Sequence, residues 1–135
     1  MKKIGVIGAG RLGICFALLC EAAGYEVLVS DLREDYVGGL NERKITTNEP
    51  EVENLLRRAK NFSATTDNRQ VIRECDLIYT LVSTPSLEDG SYDVSAVWEV
   101  VDDIKNEMTT IGNGPKNFVV GCTTNPGDCD KFREE

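Results

Sequence analysis

Residues 4–13 read Ile-Gly-Val-Ile-Gly-Ala-Gly-Arg-Leu-Gly, and this stretch decides the fold of the chain. A short apolar run ends in Gly8-x-Gly10-x-x-Gly13, and a helical pattern of apolar residues follows at once. A second apolar run, Val27–Ser30, leads to Asp31, which lies 18 residues beyond Gly13. A strand, a glycine turn, a helix and an acid at the end of the next strand are together typical of dinucleotide-binding βαβ units.

Each part of this pattern has a physical purpose. Gly8 permits a tight turn, Gly10 lets the backbone approach a pyrophosphate, and Gly13 lets the helix pack closely on the sheet. The helix N-terminus offers free N–H groups and a positive dipole end to the phosphates. Asp31 can accept hydrogen bonds from an adenosine ribose and would repel the 2′-phosphate of NADP, so it favours NAD. A glycine turn that binds nothing would explain the glycines, but not an acid at this spacing.

The composition indicates one globular domain. The chain has 135 residues, of which 41% are hydrophobic and 28% are charged. A net charge of −8 argues against nucleic acid or an anionic membrane as a partner. No apolar run approaches the roughly 20 residues that a membrane span requires. The start, Met-Lys-Lys, resembles a signal peptide only until Gly5, Gly8 and Arg11 interrupt the apolar run, so we expect a cytoplasmic protein.

The cysteines and histidines exclude several kinds of site. The five cysteines are odd in number and form no Cys-x-x-Cys pair, which argues against a disulfide framework and a zinc site. We expect reduced and mostly buried thiols. The chain has no histidine, so it cannot carry a Ser-His-Asp or Cys-His catalytic group of its own. We predict neither a metal site nor a catalytic residue within these 135 residues.

Strands and helices are predicted to alternate along the whole chain. The predicted strands are Lys3–Ile7, Val27–Ser30, Phe62–Thr65, Leu77–Val82 and Asn117–Gly121. The predicted helices are Arg11–Ala23, a short one near Tyr36–Leu40, Glu51–Lys60 with Pro50 fitting a first helical position, one from Asp67 to Glu74, one capped by Asp93, and a last one after Asp128. The alternation predicts an α/β fold, a Rossmann-like doubly wound parallel sheet in a single domain. Ligand should then lie at the carboxyl ends of the strands, next to Gly8–Gly13, Asp31, Ser83–Ser86 and Cys122–Gly127.

Several loop motifs extend the resemblance beyond the glycine turn. In chain order they are Gly8–Gly13, Asp31, Glu49-Pro50, Thr84-Pro85-Ser86 with Asp89-Gly90, and Cys122-Thr-Thr-Asn-Pro-Gly127. This series resembles the N-terminal domain of the UDP-glucose/GDP-mannose dehydrogenase family over nearly the whole chain. The Thr-Pro-Ser…Asp-Gly loop followed by the Thr-x-x-Pro-Gly loop is more specific than the glycine pattern, which many families share.

The resemblance implies an NAD-dependent nucleotide-sugar 6-dehydrogenase, which oxidises a sugar C6 alcohol to a carboxylate in two hydride transfers. By analogy, the ADP half of NAD would lie on the glycine turn and Asp31, and the rest along the loops after the fourth and fifth strands. The implied cofactor residues are Gly8, Ala9, Gly10, Arg11, Leu12, Gly13, Asp31, Val82, Ser83, Thr84, Pro85 and Thr123. The family's catalytic Cys and its partners lie beyond this length, and the chain stops where another αβ unit would begin. We therefore expect a fragment, inactive alone, of a homo-oligomeric enzyme whose nucleotide-sugar site lies in the missing domains.

The chain also departs from the family pattern at several positions. Arg11 replaces an aromatic residue, and Tyr36 stands where the family often has Lys or Arg near the ribose. Arg33 could take the 2′-phosphate of NADP, although we expect a solvated charge at a helix start. Cys122 stands where the family usually has Ser, and we expect it to serve packing. The remaining departures are Asn125 and Asp128, in place of Pro and Thr.

Two other functions fit the glycine turn. Regulatory nucleotide sensors of potassium transport systems are single Rossmann units of similar size, and their turns can read Gly-Ala-Gly-Arg-x-Gly. A hydroxyacyl-CoA type of dehydrogenase has a similar N-terminal glycine turn. The Asp89-Gly90 and Pro126-Gly127 loops favour the nucleotide-sugar dehydrogenase over the sensor, and Asp89-Gly90 argues less firmly against the hydroxyacyl-CoA type.

Overall fold

The computed structural model describes residues 2–112 and 114–135. Five strands alternate with helices in this part of the chain. The elements in order are β1 Lys3–Ile7, α1 Arg11–Ala22, β2 Glu26–Ser30, α2 Glu34–Glu42, α3 Val52–Arg58, β3 Phe62–Thr65, α4 Asn68–Glu74, β4 Leu77–Thr80, α5 Ser95–Ile111, β5 Asn117–Val120 and α6 Asp128–Glu134. All five predicted strands are present, with small differences at the ends of β2, β4 and β5. The turn predicted over residues 112–116 includes Asn113, which lies outside the described residues.

The strands form one parallel sheet in the order β3-β2-β1-β4-β5. This order reverses direction between β1 and β4, as in doubly wound dinucleotide-binding folds, so the predicted fold class is confirmed. The last residue of β1, Ile7, lies opposite Ser30 of β2 and Thr80 of β4. The loops that follow these three strands therefore leave the sheet at the same edge, where a crevice opens.

The core lies on both faces of the sheet. Successive residues of a strand point to opposite faces, so Val27 and Val29 pack with one set of helices while Leu28 packs with the other. The first cluster joins β1 and β2 to α1, α2 and α3, and the second joins them to α4 and α5. Burial on both faces explains why the strands read as continuous apolar runs.

The buried face of α1 differs from the predicted one. Helical spacing predicts a core face made of Leu12, Cys15, Phe16, Leu19, Ala22 and Ala23. Cys15 and Phe16 do pack, partly buried, against the core, but Leu12 and Leu19 are 65% and 60% exposed. The buried residues of α1 are instead Gly13, Ile14, Ala17 and Leu18. Apolar residues surround most of this helix, so their spacing fits more than one face. The close approach at Gly13 selects the face that packs against β1.

Two of the predicted helix starts also need correction. Helix α3 begins at Val52 after Glu51, which has a positive φ of 65°, so Pro50 lies before the helix and not at its first position. Helix α5 begins after Val94, while the Asp93 carboxylate accepts a 3.0 Å hydrogen bond from the Ser95 backbone N–H. Asp67 does cap α4, because its carboxylate accepts from the Arg69 N–H at 2.9 Å.

A buried carboxylate joins α4 to α5. Glu107 of α5 is 4% exposed. An acid is rarely buried this fully unless it is paired with a base. Arg73 of α4 donates to it at 3.1 Å, and the Nε of Arg69 lies 4.0 Å from its second oxygen. The two helices are therefore held together by a pair of which the acidic member is shielded from water.

The thiols are free, as expected, but most are not buried. Only Cys75 is fully buried; Cys15, Cys20 and Cys122 are partly buried, and Cys129 is exposed. Burial raises the pKa of the Cys75 thiol to about 12 and also raises the pKa of Cys122. A thiol with a raised pKa is largely protonated at neutral pH and is a poor nucleophile, which agrees with a packing role for Cys122.

Candidate functional site

A crevice of about 480 Å³ opens at the carboxyl ends of β1, β2 and β4. Its floor is formed by the turn after β1 and the start of the loop after β4, and one wall comes from α5. The predicted convergence of separate loops at this edge is thus observed for β1, β2 and β4. The lining residues are Ile7, Gly8, Gly10, Ser30, Asp31, Leu32, Arg33, Asn68, Leu81, Val82, Ser83, Ala96, Glu99, Val100 and Asp103.

The glycine turn has the geometry that its pattern predicted. Gly8 has a φ of 98°, and a Cβ built on it would lie 2.6 Å from the Leu81 carbonyl oxygen. A Cβ on Gly13 would overlap the carbonyl oxygen of Gly8. A Cβ on Gly10, by contrast, would meet no atom within 4 Å, because it would project into open space. The turn therefore needs glycine at two positions for folding and leaves room at the third.

Helix α1 presents an uncapped N-terminus to the crevice. Gly10 is its N-cap residue and has no side chain to accept a hydrogen bond. The Gly10 carbonyl accepts the first helical bond, from Ile14 at 2.9 Å. The first turn contains no acidic side chain that would compete for the backbone N–H groups. The N-terminus of this twelve-residue helix, with open space beside its N-cap, fits an anionic group such as a pyrophosphate.

Asp31 lies directly after β2 and points towards the glycine turn. Its Oδ2 accepts a 3.3 Å hydrogen bond from the Ala9 backbone N–H, which links the ends of β1 and β2. Burial acts to raise the pKa of this carboxyl, but hydrogen bonds and charge from Arg33 outweigh burial and hold the pKa below its ordinary value. Asp31 is therefore ionised at neutral pH, as an acceptor for ribose hydroxyls must be.

Arg33 has a more specific role than the expected solvated charge. Its side chain is 61% exposed, yet its Nε and Nη2 donate to the two oxygens of Asp31 at 2.8 and 3.0 Å. The guanidinium lies over the ring of Tyr36, with its central carbon 4.1 Å from the ring centroid. Tyr36 is fixed in turn by a 2.6 Å hydrogen bond from its hydroxyl to the Ala9 carbonyl. Asp31, Arg33, Tyr36 and Ala9 thus form one network, which we call the Asp31 network.

The Asp31 network should make stability depend on acid. Folding holds the pKa of the Asp31 carboxyl below its ordinary value of 3.8, so the ionised carboxylate stabilises the fold above that pH. This stabilisation is lost as the pH falls through the lower pKa of the folded state. We expect Asp31→Asn to cost about 1 kcal/mol at neutral pH, since Arg33 is largely exposed. Urea denaturation of both proteins should show this difference shrinking below about pH 4. A difference that stayed constant down to about pH 2 would contradict the assignment.

The structure brings together some of the predicted cofactor residues but not all. Gly8, Gly10, Asp31, Val82 and Ser83 line the crevice. Ala9 is buried beneath it, and Gly13 is buried between α1 and the sheet. Arg11 lines a smaller neighbouring pocket and lies 3.2 Å from Glu49, while Leu12 is exposed. The remaining predicted residues lie outside the crevice lining, on the loops after β4 and β5; they are Thr84, Pro85 and Thr123.

The loops after β4 and β5 are tied together by a residue that departs from the family pattern. The Asn125 side chain accepts from the Tyr92 N–H at 2.8 Å and donates to the Tyr92 carbonyl at 2.9 Å. Asp128, the second departure in this loop, accepts from the Asn125 backbone N–H at 2.8 Å and from its side chain at 3.0 Å. Asn125 and Asp128 therefore act together, because the Asp128 carboxylate orients the Asn125 amide that joins the two loops.

Sequence reasoning missed the polar residues of the far wall. The Ser30 hydroxyl donates to Asn68 at 2.7 Å, and the Asn68 amide donates to Asp103 at 3.3 Å. Glu99 lines the same wall from α5. Asn68 comes from α4, and Glu99 and Asp103 come from α5; they fall outside any motif, so only the packing of the two helices places them at the crevice.

A family model described as the UDP-glucose/GDP-mannose dehydrogenase family, NAD binding domain, matches residues 2–135 of this sequence. The chain belongs to this family. The resemblance inferred from the loop motifs is confirmed, and the family description names the cofactor that Asp31 predicted, NAD. The same match assigns the chain to these dehydrogenases and not to potassium-transport sensors or hydroxyacyl-CoA dehydrogenases.

Individual relatives of this family domain support the assignment. The chain is 27% identical over 133 residues to the putative UDP-glucose 6-dehydrogenase YtcA of Bacillus subtilis, covering 98% of this chain and 30% of that protein. It is 28% identical over 134 residues to GDP-mannose 6-dehydrogenase of Pseudomonas aeruginosa, covering 93% of this chain and 29% of that protein. The chain thus spans about a third or less of the length of these relatives.

Solved structures agree with the fold. A ternary complex of GDP-mannose dehydrogenase from Pseudomonas aeruginosa superimposes with a TM-score of 0.88 at 26% identity, over 96% of this chain and 30% of that one. A UDP-glucose dehydrogenase from the archaeon Pyrobaculum islandicum gives 0.89 at 24% identity, over all of this chain and 33% of that one. Among the described residues, no helix is long and apolar enough to cross a membrane, and no group of three or more potential metal ligands occurs.

Proposed function

We propose that this chain binds NAD in the crevice at the switch between β1 and β4. The pyrophosphate would lie at the N-terminus of α1 beside Gly10, and the adenosine ribose at Asp31. The observation that carries this placement is the open space at Gly10, in a turn where Gly8 and Gly13 are sterically required. Gly10 is the N-cap of α1 beside the crevice and has an ordinary φ of −70°, so a ligand that approaches its backbone explains why glycine stands there.

The remaining predicted residues have secondary roles in this proposal. Val82 and Ser83 line the crevice and would contact the coenzyme beyond the pyrophosphate, followed by Thr84, Pro85 and Thr123 on the loops after β4 and β5. Ala9 would act through its backbone, which orients Asp31 and Tyr36. Gly13 would act by holding α1 close to β1. Arg11 and Leu12 would cover the coenzyme from the exposed end of α1.

We further propose that the chain serves an NAD-dependent nucleotide-sugar 6-dehydrogenase as its coenzyme-binding domain. Bound NAD accepts hydride in such an enzyme, and this chain's residues bind and orient the coenzyme. The proposal includes a nucleotide sugar as substrate, a homo-oligomer as the complete enzyme, a cytoplasmic location, and no nucleic acid partner. Support comes from the family match, from relatives about three times longer, and from free thiols, which are typical of reducing compartments. We expect the 135 residues alone to bind NAD weakly and to oxidise nothing.

Gly10→Ala provides the direct test of the coenzyme site. The added Cβ contacts no protein atom, so the chain should still fold, with the modest loss of stability expected for alanine in place of glycine at an N-cap. The same Cβ occupies the space proposed for the pyrophosphate, so we expect NAD affinity to fall by about tenfold or more, the cost of losing good hydrogen bonds to a charged group. Calorimetric titration with NAD measures this loss.

A matched control separates binding from folding. Gly38 lies in α2 at an exposed position where a Cβ also meets nothing, so Gly38→Ala should bind NAD like the unchanged chain. Equal NAD affinity of Gly10→Ala and Gly38→Ala would place the pyrophosphate elsewhere. Failure of the folded, unchanged chain to bind NAD at millimolar concentration would refute the proposed site.

A further inference from the structure

The acceptor capacity of Asp31 is already filled by this chain. Oδ1 accepts from the Arg33 backbone N–H at 3.0 Å and from Arg33 Nε at 2.8 Å. Oδ2 accepts from Arg33 Nη2 at 3.0 Å and from the Ala9 N–H at 3.3 Å. A carboxylate offers about four lone-pair positions, so a ribose diol has to displace one of these donors before it can bind Asp31.

Arg33 is the donor that can leave. The backbone N–H groups of Ala9 and Arg33 are fixed by the turn after β1 and by the N-cap of α2. The Arg33 side chain, by contrast, is 61% exposed and rotates about several bonds. Before a ligand binds, the Arg33 side chain is held at the crevice by its stacking on Tyr36 and by its hydrogen bonds to Asp31. The side chain therefore competes with the adenosine ribose of NAD for the same carboxylate.

The same arrangement favours a phosphate on the ribose. Asp31 alone would repel the 2′-phosphate of NADP, but the paired Asp31 and Arg33 carry no net charge. Two of the five guanidinium N–H groups bind Asp31, which leaves three for an incoming phosphate. Arg33 is the one basic residue among the crevice-lining residues in the described part of the chain.

The other carboxylates of the crevice do not cancel this attraction. Asp103 accepts from the Asn68 amide and lies 3.8 Å from the Nε of Arg69, so its charge is partly compensated. Glu99 lines the crevice from α5, whereas Arg33 lies beside Asp31 after β2. The 2′-phosphate would meet Arg33 before either acid, because Arg33 holds the carboxylate that marks the ribose position.

We propose that Arg33 makes this crevice a site for both NAD and NADP. Its guanidinium competes with the ribose of NAD for Asp31 and binds the 2′-phosphate of NADP. This inference rests on the proposed coenzyme site and extends it to a second ligand. The family description names NAD alone, and Arg33 with Tyr36 replaces the usual basic residue near the ribose.

The test is calorimetric titration of the 135-residue chain and three variants with NAD and NADP. We expect the unchanged chain to bind the two coenzymes within about tenfold of each other. Arg33→Ala should bind NAD about threefold more tightly and NADP at least tenfold more weakly, the range expected for lost hydrogen bonds to a charged group. Arg33→Lys should retain part of the NADP affinity, because it keeps the charge but not the fork. Arg58→Ala, an exposed arginine on α3, should change neither affinity.

The opposite movement of the two affinities distinguishes selectivity from structural support. If Arg33→Ala lowered the affinities for NAD and NADP equally, the proposal would be overturned and Arg33 would be a structural residue. A preference for NAD above a hundredfold that Arg33→Ala leaves unchanged would also overturn the proposal, although the proposed NAD site would then stand. Binding of neither coenzyme by a chain that unfolds cooperatively would refute the proposed site and this inference together.

Discussion

Gly13→Ala should lower the free energy of unfolding by about 2–3 kcal/mol, the cost of forcing an extra methyl group into a packed site. The new Cβ would overlap the backbone carbonyl oxygen of Gly8, and the Cβ is itself fixed rigidly to the backbone of the same turn. Neither atom can move aside as a flexible side chain would, so α1 has to shift away from β1. Alanine's higher helix propensity recovers up to about 1 kcal/mol and is included in this range.

Urea denaturation of Gly13→Ala beside Gly38→Ala provides the measurement. Gly38 is also a helical glycine, but a Cβ there meets nothing, so this variant should gain about 0.5–1 kcal/mol. The two substitutions are chemically identical and should change stability in opposite directions. A gain of stability in Gly13→Ala would mean that the turn relaxes easily, and the steric account of the glycine pattern would be wrong.

Arg73→Ala should lower the midpoint of thermal unfolding by several degrees, because it leaves the buried carboxylate of Glu107 without its main partner. The Glu107 side chain is 5% exposed, so water cannot replace the lost guanidinium. Arg69 lies 4.0 Å from the other carboxylate oxygen and supplies only part of the compensation. The loss should therefore be far larger than for an exposed ion pair.

The double variant Arg73→Ala/Glu107→Leu tests the cause of this loss. Removing the stranded carboxylate should recover most of the stability, since an apolar side chain of similar size suits a buried position. Arg133→Ala is the matched control, because its pair with Asp130 is exposed on both sides and should contribute at most about 0.5 kcal/mol. A double variant no more stable than Arg73→Ala would show that burial of an unpaired charge is not responsible.

Much of the fold was predictable because its signals are local and strong. Residues 3–7 and 62–65 form strands with the predicted bounds, since each is an apolar or β-favouring run between turn residues. The parallel, doubly wound class of sheet followed from the alternation of strands and helices, whereas the order of the strands is known only from the structure. The face of α1 was not predictable from spacing, because Leu12 and Leu19 are as apolar as the buried Ile14 and Leu18.

In the candidate site, too, some features were predictable from local sequence and others depended on tertiary packing. The roles of Gly8 and Gly13 follow from backbone sterics that the pattern alone encodes. The fork of Arg33 on Asp31 was missed, because two residues apart in a strand-to-helix turn they can face together or apart. Its direction depends on the backbone after β2 and on Tyr36, whose position is set by Ala9. The polar wall of Asn68 and Asp103 depends on the packing of α4 against α5, which no local pattern records.

The amide of Asn125 has a consequence for motion at the crevice. One side chain occupies both the N–H and the carbonyl of Tyr92, while Asp128 holds that side chain from below. Moving the loop after β4 away would break both hydrogen bonds between Tyr92 and Asn125. The positions of the loops after β4 and β5 are therefore coupled, so a substitution that displaces one loop should also displace the other.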